Sequence, residues 1–265
     1  MSADHLLYRV EGRVAYFTIN RPERRNALSP EAMSLFHTYL DEAQGDQNVW
    51  AVCITGAGEK AFCAGADLGA GADLGAGMAG AGEKGLDAFG LYAALLKKLS
   101  GYPKPTVARV NGSCVAGGTG IMLACDIVVA VNTATFGTPE VNVGLFPMMI
   151  GALIFRNVPR KKAMEMVLLG EKLTAGQALD MGLVTRVVAP EALDAEVNRI
   201  LDILGKKSPI GMKLGKEAFF AMQDMPFAQA LEHLAQQLME VTNTADAVEG
   251  ITAFLQKREP DFKGR

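Results

Sequence analysis

Apolar positions change their period along this chain, from alternation, to unbroken runs, to spacings of three and four. Residues 8–10 and 14–19 flank Glu11-Gly12-Arg13, which predicts a hairpin. Arg21-Pro22 ends the second strand, because proline brings no amide to a ladder. Ser29-Pro30-Glu31 reads as a helix start, with a serine cap and proline at the first helical position, and the helix is expected to reach about Ala43. Residues 50–55 (WAVCIT) form a continuous apolar run, read as a buried strand and stopped by Gly56-Ala57-Gly58. Residues 106–110 and 127–131 are further strands, and 184–188 an edge strand. Helices are predicted over about 86–99, near 150–155, and over 160–169 and 174–181. Beyond Pro190 the pattern is almost wholly helical, at about 191–205, 209–223, 227–241 and 244–257.

Strands therefore alternate with helices as far as Val188, and helices alone follow. This predicts an α/β core over residues 1–190 and a helical C-terminal region over 191–265. Helices such as 227–241 carry an apolar stripe that needs covering, either by the core or by another subunit.

The segment 61–90 breaks the pattern. Residues 64–69 read AGADLG and residues 70–75 repeat it, followed by GAGMAGAGEKG. So much glycine is costly to order, which predicts a mobile loop at the centre of the segment. The second copy reads either as a harmless insertion or as a segment with a role of its own.

Composition narrows the class. The chain has 265 residues, of which 49% are hydrophobic and 21% charged, values of a globular protein. A net charge of −3 argues against nucleic acid as the main partner. The N-terminus lacks a basic-then-apolar signal, and no apolar run approaches the length of a membrane span. Cys53, Cys63, Cys114 and Cys125 form no CxxC pair and read as reduced thiols, which points to a cytoplasmic protein. His5, His37 and His233 are far apart, a poor basis for a zinc site or a Ser-His-Asp triad.

The candidate chemistry gathers in residues 110–126, VNGSCVAGGTGIMLACD. An apolar strand turns at Asn111-Gly112, passes Gly117-Gly118 and continues as an apolar helix. Two glycines at a helix start leave backbone N–H groups unshielded, a setting for an anion or for an oxygen that becomes one. The alternative is a tight helix–sheet contact that needs glycine for room.

Taken in order, the motifs resemble the crotonase, or enoyl-CoA hydratase/isomerase, superfamily over nearly the whole chain. They are Asn20-Arg21-Pro22 with Asn26-Ala27-Leu28; Ala61-Phe62-Cys63-Ala64-Gly65-Ala66-Asp67-Leu68; Lys104-Pro105 through Asn111-Gly112; Gly117-Gly118; Cys125-Asp126; Phe136-Gly137-Thr138-Pro139-Glu140; Val143-Gly144-Leu145; residues 178–184; and the tail FLQKREPDFKGR. The resemblance implies a spiral of ββα repeats with a C-terminal helical region that builds homotrimers or hexamers. It implies an acyl-CoA substrate, with coenzyme A entering as part of that substrate, and no permanently bound cofactor or metal. The thioester oxygen would sit between the amides of Ala66 and Gly117, beside Gly118. Contacts to coenzyme A would come from near Arg25, Ala27, Leu28, Ala64, Asp67 and Leu68, and from Lys257, Phe262 and Lys263 of a neighbouring subunit. Arg24 and Arg25 read equally as solvated loop charges, and Lys257 and Lys263 as a plain basic tail. Asp67 is expected to cap the turn or helix that follows, and Asp126 to be structural.

The chain departs from the family at one catalytic position. Family hydratases use two glutamates; the second matches Glu140, and the first falls on Gly120. Position 120 lies one turn after Gly117 on the same helix face, so glycine there deletes a carboxylate aimed at the thioester. Glu83 and Asp87 are distant candidates for a replacement. Met148-Met149 suggests an apolar acyl pocket, and burial near them would raise the Glu140 pKa, as a general base needs. One carboxylate suffices for double-bond isomerisation through an enolate. A one-glutamate enoyl-CoA hydratase, a thioester hydrolase and a non-catalytic CoA-thioester-binding protein are the alternatives.

Overall fold

The computed structural model describes residues 4–67 and 83–265, without the side chains of residues 83–87. The AGADLG repeat beyond Asp67, the expected loop, Leu68 and Ala72 lie outside the described residues.

Among the described residues, ten strands form two sheets. β1 (Leu6–Glu11) and β2 (Val14–Ile19) make the expected hairpin, paired from Leu6–Ile19 to Glu11–Val14. β2 then runs parallel to β3 (Ala51–Gly56), which is followed in the sheet by β5 (Thr106–Val110), β7 (Ile127–Val131) and β10 (Arg186–Val188). The strands β3 and β7 are apolar almost throughout and β5 is buried except at Arg109, because a parallel sheet is covered on both faces.

The second sheet holds β4 (Ala61–Cys63), β6 (Ser113–Val115), β8 (Thr135–Gly137) and β9 (Leu173–Thr174), in that order. Sequence periodicity does not predict it: its strands have two or three residues, too few to show alternation. Three strands of the large sheet each feed a short strand of the small one: β3 leads to β4, β5 to β6 and β7 to β8. After β4 and β6 the chain enters a helix, which is the expected ββα repeat, and the fold class is as the sequence implies.

Helix α1 (Pro30–Gly45) begins as anticipated, with the Ser29 hydroxyl accepting from the Ala32 amide at 3.1 Å. Helix α2 (Glu83–Ser100) starts before the expected residue and turns Tyr92, Leu95, Leu96 and Leu99 into the core. Helix α3 (Gly117–Leu123) is short and packs against α4 (Met148–Asn157). Helices α5 (Arg160–Leu169) and α6 (Ala175–Asp180) follow.

The last four helices are α7 (Leu193–Leu204), α8 (Pro209–Met222), α9 (Phe227–Thr242) and α10 (Ala245–Leu255). Helix α7 buries Leu193, Val197, Ile200 and Leu201 against the large sheet and belongs with the core in packing. Helices α8 to α10 pack mainly on one another and leave Phe227 and Phe254 79% and 82% exposed. No helix among the described residues is long and apolar enough to cross a membrane.

Candidate active site

The three parallel strands of the small sheet end side by side, and each delivers one candidate residue. Ala66 lies three residues beyond β4, Gly117 two beyond β6 and Glu140 three beyond β8. Neighbouring strands stand about 4.8 Å apart. The strand register Cys114–Phe136 and Val115–Gly137, extended by Ala116 N–H donating to the Gly137 carbonyl at 3.0 Å, therefore puts Gly117 between Ala66 and Glu140. The carboxyl ends of parallel strands are the usual place for a ligand cleft in α/β proteins.

The loop of residues 21–28 fixes the Ala66 peptide. Leu28 N–H donates to the Gly65 carbonyl at 2.7 Å, and Asp67 N–H to the Leu28 carbonyl at 3.0 Å. This parallel bridge leaves the Ala66 N–H on the opposite side, toward β6 and the chain that leads to Gly117. The loop is itself braced. The Asn26 side chain accepts from Arg21 N–H at 3.1 Å and donates to the Ala61 carbonyl at 2.7 Å, while Arg21 pairs with Asp67 at 2.6 Å. Asn26 takes this position at φ +57, in the left-handed region that asparagine tolerates better than most residues. Asp67 thus serves as a counter-ion within this brace; the residues it was expected to cap lie outside the described ones.

Gly117 gets its direction from a strained neighbour. Ala116 has φ +50 and ψ −131, a conformation that costs a non-glycine residue about 1–3 kcal/mol and that clusters at functional sites. It turns the chain sharply from β6 into α3. Gly65, at φ +90, packs so closely against this corner that a Cβ there would lie 2.7 Å from Ala116 Cβ. A Cβ on Gly118 would overlap the Cys63 carbonyl. Both readings of the glycine pair therefore hold together: close packing is what brings the two backbones next to each other. Among the described residues, neither the Ala66 nor the Gly117 amide donates a hydrogen bond.

Glu140 is in a 3-10 turn (Pro139–Val143), half-buried, with a buried Oε2 atom that has no hydrogen-bond partner among the described residues. Burial raises its carboxyl above the ordinary value of 4.5, against the opposing pull of its own backbone N–H. Cys63 adjoins the cluster, but burial pushes its thiol up to about 12, so it stays protonated and is no nucleophile.

The other expected residues divide into three groups. Ala27, Leu28 and Gly118 are buried in the framework, while Arg25 is exposed and Ala64 half-buried at the cleft side of that loop, joined by Ala64 N–H to the Arg25 carbonyl at 3.1 Å. Met148 is 75% exposed beside exposed Val143, Leu145 and Phe146, so the expected apolar pocket is an open apolar wall in the single chain. Lys257, Phe262 and Lys263 lie in the C-terminal tail; Phe262 packs near Gly250, and Asp246 anchors the tail by accepting from Lys263 N–H at 2.8 Å. No described contact of these three reaches the cluster in the same chain. Glu83 and Asp87 begin α2, and their side chains are not among those described.

Position 120 corrects an expectation. It is not open space left by a lost carboxylate: a Cβ there would overlap the Tyr92 hydroxyl and come within 2.6 Å of Ile150 Cγ2. Tyr92, Ala116, Arg21 and Asn111 are the site residues that sequence reasoning did not select. Asn111 donates to the Gly56 carbonyl at 2.9 Å and holds the turn between β5 and β6. Asp126 is structural, as expected, accepting from the Thr106 amide at 2.7 Å and pairing with Lys216.

A family model described as enoyl-CoA hydratase/isomerase matches residues 9–265. A 2,3-dehydroadipyl-CoA hydratase of Escherichia coli is 35% identical over 256 residues, 96% of this chain and 96% of that protein. A short-chain-enoyl-CoA hydratase of Clostridium acetobutylicum is 33% identical over 268 residues, the full length of both. The crystal structure of an enoyl-CoA hydratase from Bacillus anthracis superposes with a TM-score of 0.91 at 30% identity, covering 98% of this chain and 100% of that one.

Proposed function

Because the chain belongs to the enoyl-CoA hydratase/isomerase family and is an enzyme of that type acting on acyl-CoA thioesters, we propose that it isomerises 3-enoyl-CoA to 2-enoyl-CoA with Glu140 as its acid–base group. The thioester oxygen lies between the Ala66 and Gly117 amides. The Glu140 carboxylate removes a proton from the carbon next to the thioester, and the electron pair enters a dienolate whose oxygen the two amides hold. Glu140 then returns the proton to the far carbon of the allyl system, and the double bond moves into conjugation. Each amide contributes about 10²–10³ in rate and the proton transfer about 10²–10⁴.

The observation that carries this reading is the Oε2 of Glu140, buried and without a hydrogen-bond partner among the described residues, at a strand end adjacent to that of Gly117. A carboxylate with one oxygen buried is poised to accept a proton, and the upward push of burial on its pKa suits the task. Arg25, Ala27, Leu28, Ala64, Asp67 and Leu68 border the coenzyme A entrance. Lys257, Phe262 and Lys263 of a neighbouring subunit complete it in a trimer or hexamer, and the exposed apolar residues of α8 to α10 supply the contact surface. The names of the relatives favour a second reading, hydration of 2-enoyl-CoA in which Glu140 alone positions and activates the water.

A spectrophotometric assay on 2-enoyl-CoA and 3-enoyl-CoA of several chain lengths separates the two. Isomerisation is expected to exceed hydration and to disappear in Glu140→Gln. Dominant hydration that survives Glu140→Gln would overturn the glutamate shuttle altogether.

A further inference from the structure

Helix α2 sends one polar side chain to the oxyanion loop that the scheme above does not use. Tyr92 is 8% exposed and lies among Leu95, Leu96 and Leu99. Its hydroxyl donates to the Gly117 carbonyl at 2.5 Å. The same hydroxyl occupies the space in which a Cβ on Gly120 would have to stand. The clasp on Gly117 and the missing side chain at 120 are therefore one arrangement, since the chain can hold only one of the two groups there.

The clasp acts on the weakest part of the loop. Gly117 and Gly118 have the widest backbone freedom of any residues, and Ala116 before them is strained. Two peptide planes meet at Gly117. The Ala116–Gly117 plane is held through its carbonyl, which accepts from Thr119 N–H at 2.9 Å. The Gly117–Gly118 plane is held through its carbonyl by Tyr92. The Gly117 N–H belongs to the first plane, and the Tyr92 bond, by holding the second, limits how far the first can swing about the Gly117 Cα.

We propose that Tyr92 is a positioning residue for the oxyanion loop: its hydroxyl, admitted by Gly120, fixes the Gly117 peptide and so aims the Gly117 amide at the thioester oxygen. Burial, together with the nearby Cys63, Cys114 and Glu140, keeps this phenol protonated well above its ordinary value, so the clasp persists across the working pH range. The proposal rests on the oxyanion reading of Ala66 and Gly117 and adds to it the part that holds one donor in place. It also makes the loss of the first glutamate part of an exchange, in which a neutral phenol from another helix took the space.

The test uses Tyr92→Phe, Gly120→Ala and the double variant in the full-length protein, with circular dichroism as the control for folding. Tyr92→Phe is expected to lower kcat about tenfold with KM within about threefold, since an oxyanion donor acts mainly in the transition state. The infrared carbonyl band of a bound, carbon-13-labelled saturated acyl-CoA should lie below its solution frequency in the parent and move part-way back in Tyr92→Phe. Gly120→Ala should do the same by displacing the hydroxyl, and the double variant should cost less than the product of the two single effects. A parent with neither turnover of any enoyl-CoA nor a shifted carbonyl band would remove the site reading and this proposal with it. A parent with both, beside a Tyr92→Phe variant that matches it in kcat and carbonyl frequency, would overturn the role of Tyr92 alone; so would independent, multiplicative effects of the two substitutions.

Discussion

Gly65 and Gly117 meet backbone to backbone: a Cβ built on Gly65 would stand 3.0 Å from the Gly117 nitrogen. Gly65→Ala adds that methyl at φ +90, where an L-residue is strained as well as crowded. The substitution is expected to spread the two proposed donor peptides, to lower turnover about 10²-fold or more, and to cost about 1–3 kcal/mol of stability. Steady-state kinetics and urea denaturation check the two effects separately.

Ala66→Pro removes the proposed donor but not the brace, because the bridge to Leu28 uses the Gly65 carbonyl and the Asp67 amide. Turnover should fall about 10²–10³-fold with the fold retained. Ala72→Pro, in the second copy of the repeat, should leave turnover unchanged. A silent Ala66→Pro beside a damaging Ala72→Pro would place the donor in the other copy.

Glu140→Gln keeps the shape and removes the base, at a cost of about 10²–10⁴ in isomerisation. In the parent, kcat/KM should rise with pH through a value above 4.5, because burial raises the Glu140 carboxyl. The same burial means that the folded state holds its proton longer than the unfolded chain. Stability therefore falls as pH rises from 4.5 through the raised value, and stays lowered above it. Glu140→Gln escapes that loss, so it should be more stable than the parent at about pH 8 and equal to it at about pH 4 in urea titrations.

Gly120→Glu returns a carboxylate to the position where family hydratases carry their first glutamate. The Tyr92 hydroxyl and Ile150 now stand in its path. Alone it should depress both reactions, and only in combination with Tyr92→Ala should the hydration-to-isomerisation ratio rise. A rise in that ratio from Gly120→Glu alone would mean that Tyr92 moves aside freely.

Phe227→Glu should shift the assembly toward monomer in light scattering without unfolding it, because this side chain is 79% exposed in the single chain. The parent should scatter as a trimer or hexamer. A clean monomer at micromolar concentration would refute the proposed assembly.

The long elements were legible because each buries a face or a whole strand. Residues 51–54 and 127–131 are apolar without interruption, and Ser29-Pro30 carries its cap in the sequence. The small sheet was not legible: Ala61–Cys63, Ser113–Val115 and Thr135–Gly137 are too short for any period, although they carry the candidate chemistry. Glu140 and Ala66 were selected through motif resemblance, and Gly117 already through the glycine pair at a helix start; hydropathy alone says nothing of them. Tyr92 was missed because, at three- and four-residue spacing from Leu95, Leu96 and Leu99, it reads as ordinary core. Ala116 was missed because alanine gives no sign that its backbone will be left-handed.

The ends of β4, β6 and β8 hold the three candidate groups in separate sockets, each a few residues past its own strand and each on a loop with its own bracing. The sockets of Ala66 and Gly117 touch through Gly65, so a change there moves both, while the large sheet, seven or more residues away in sequence from each candidate group, keeps its register. Such a layout is modular in the evolutionary sense: the Glu140 socket can drift apart from the coupled pair at Ala66 and Gly117, and the space at position 120, filled from another helix by the Tyr92 hydroxyl, is one place where such drift has room to act.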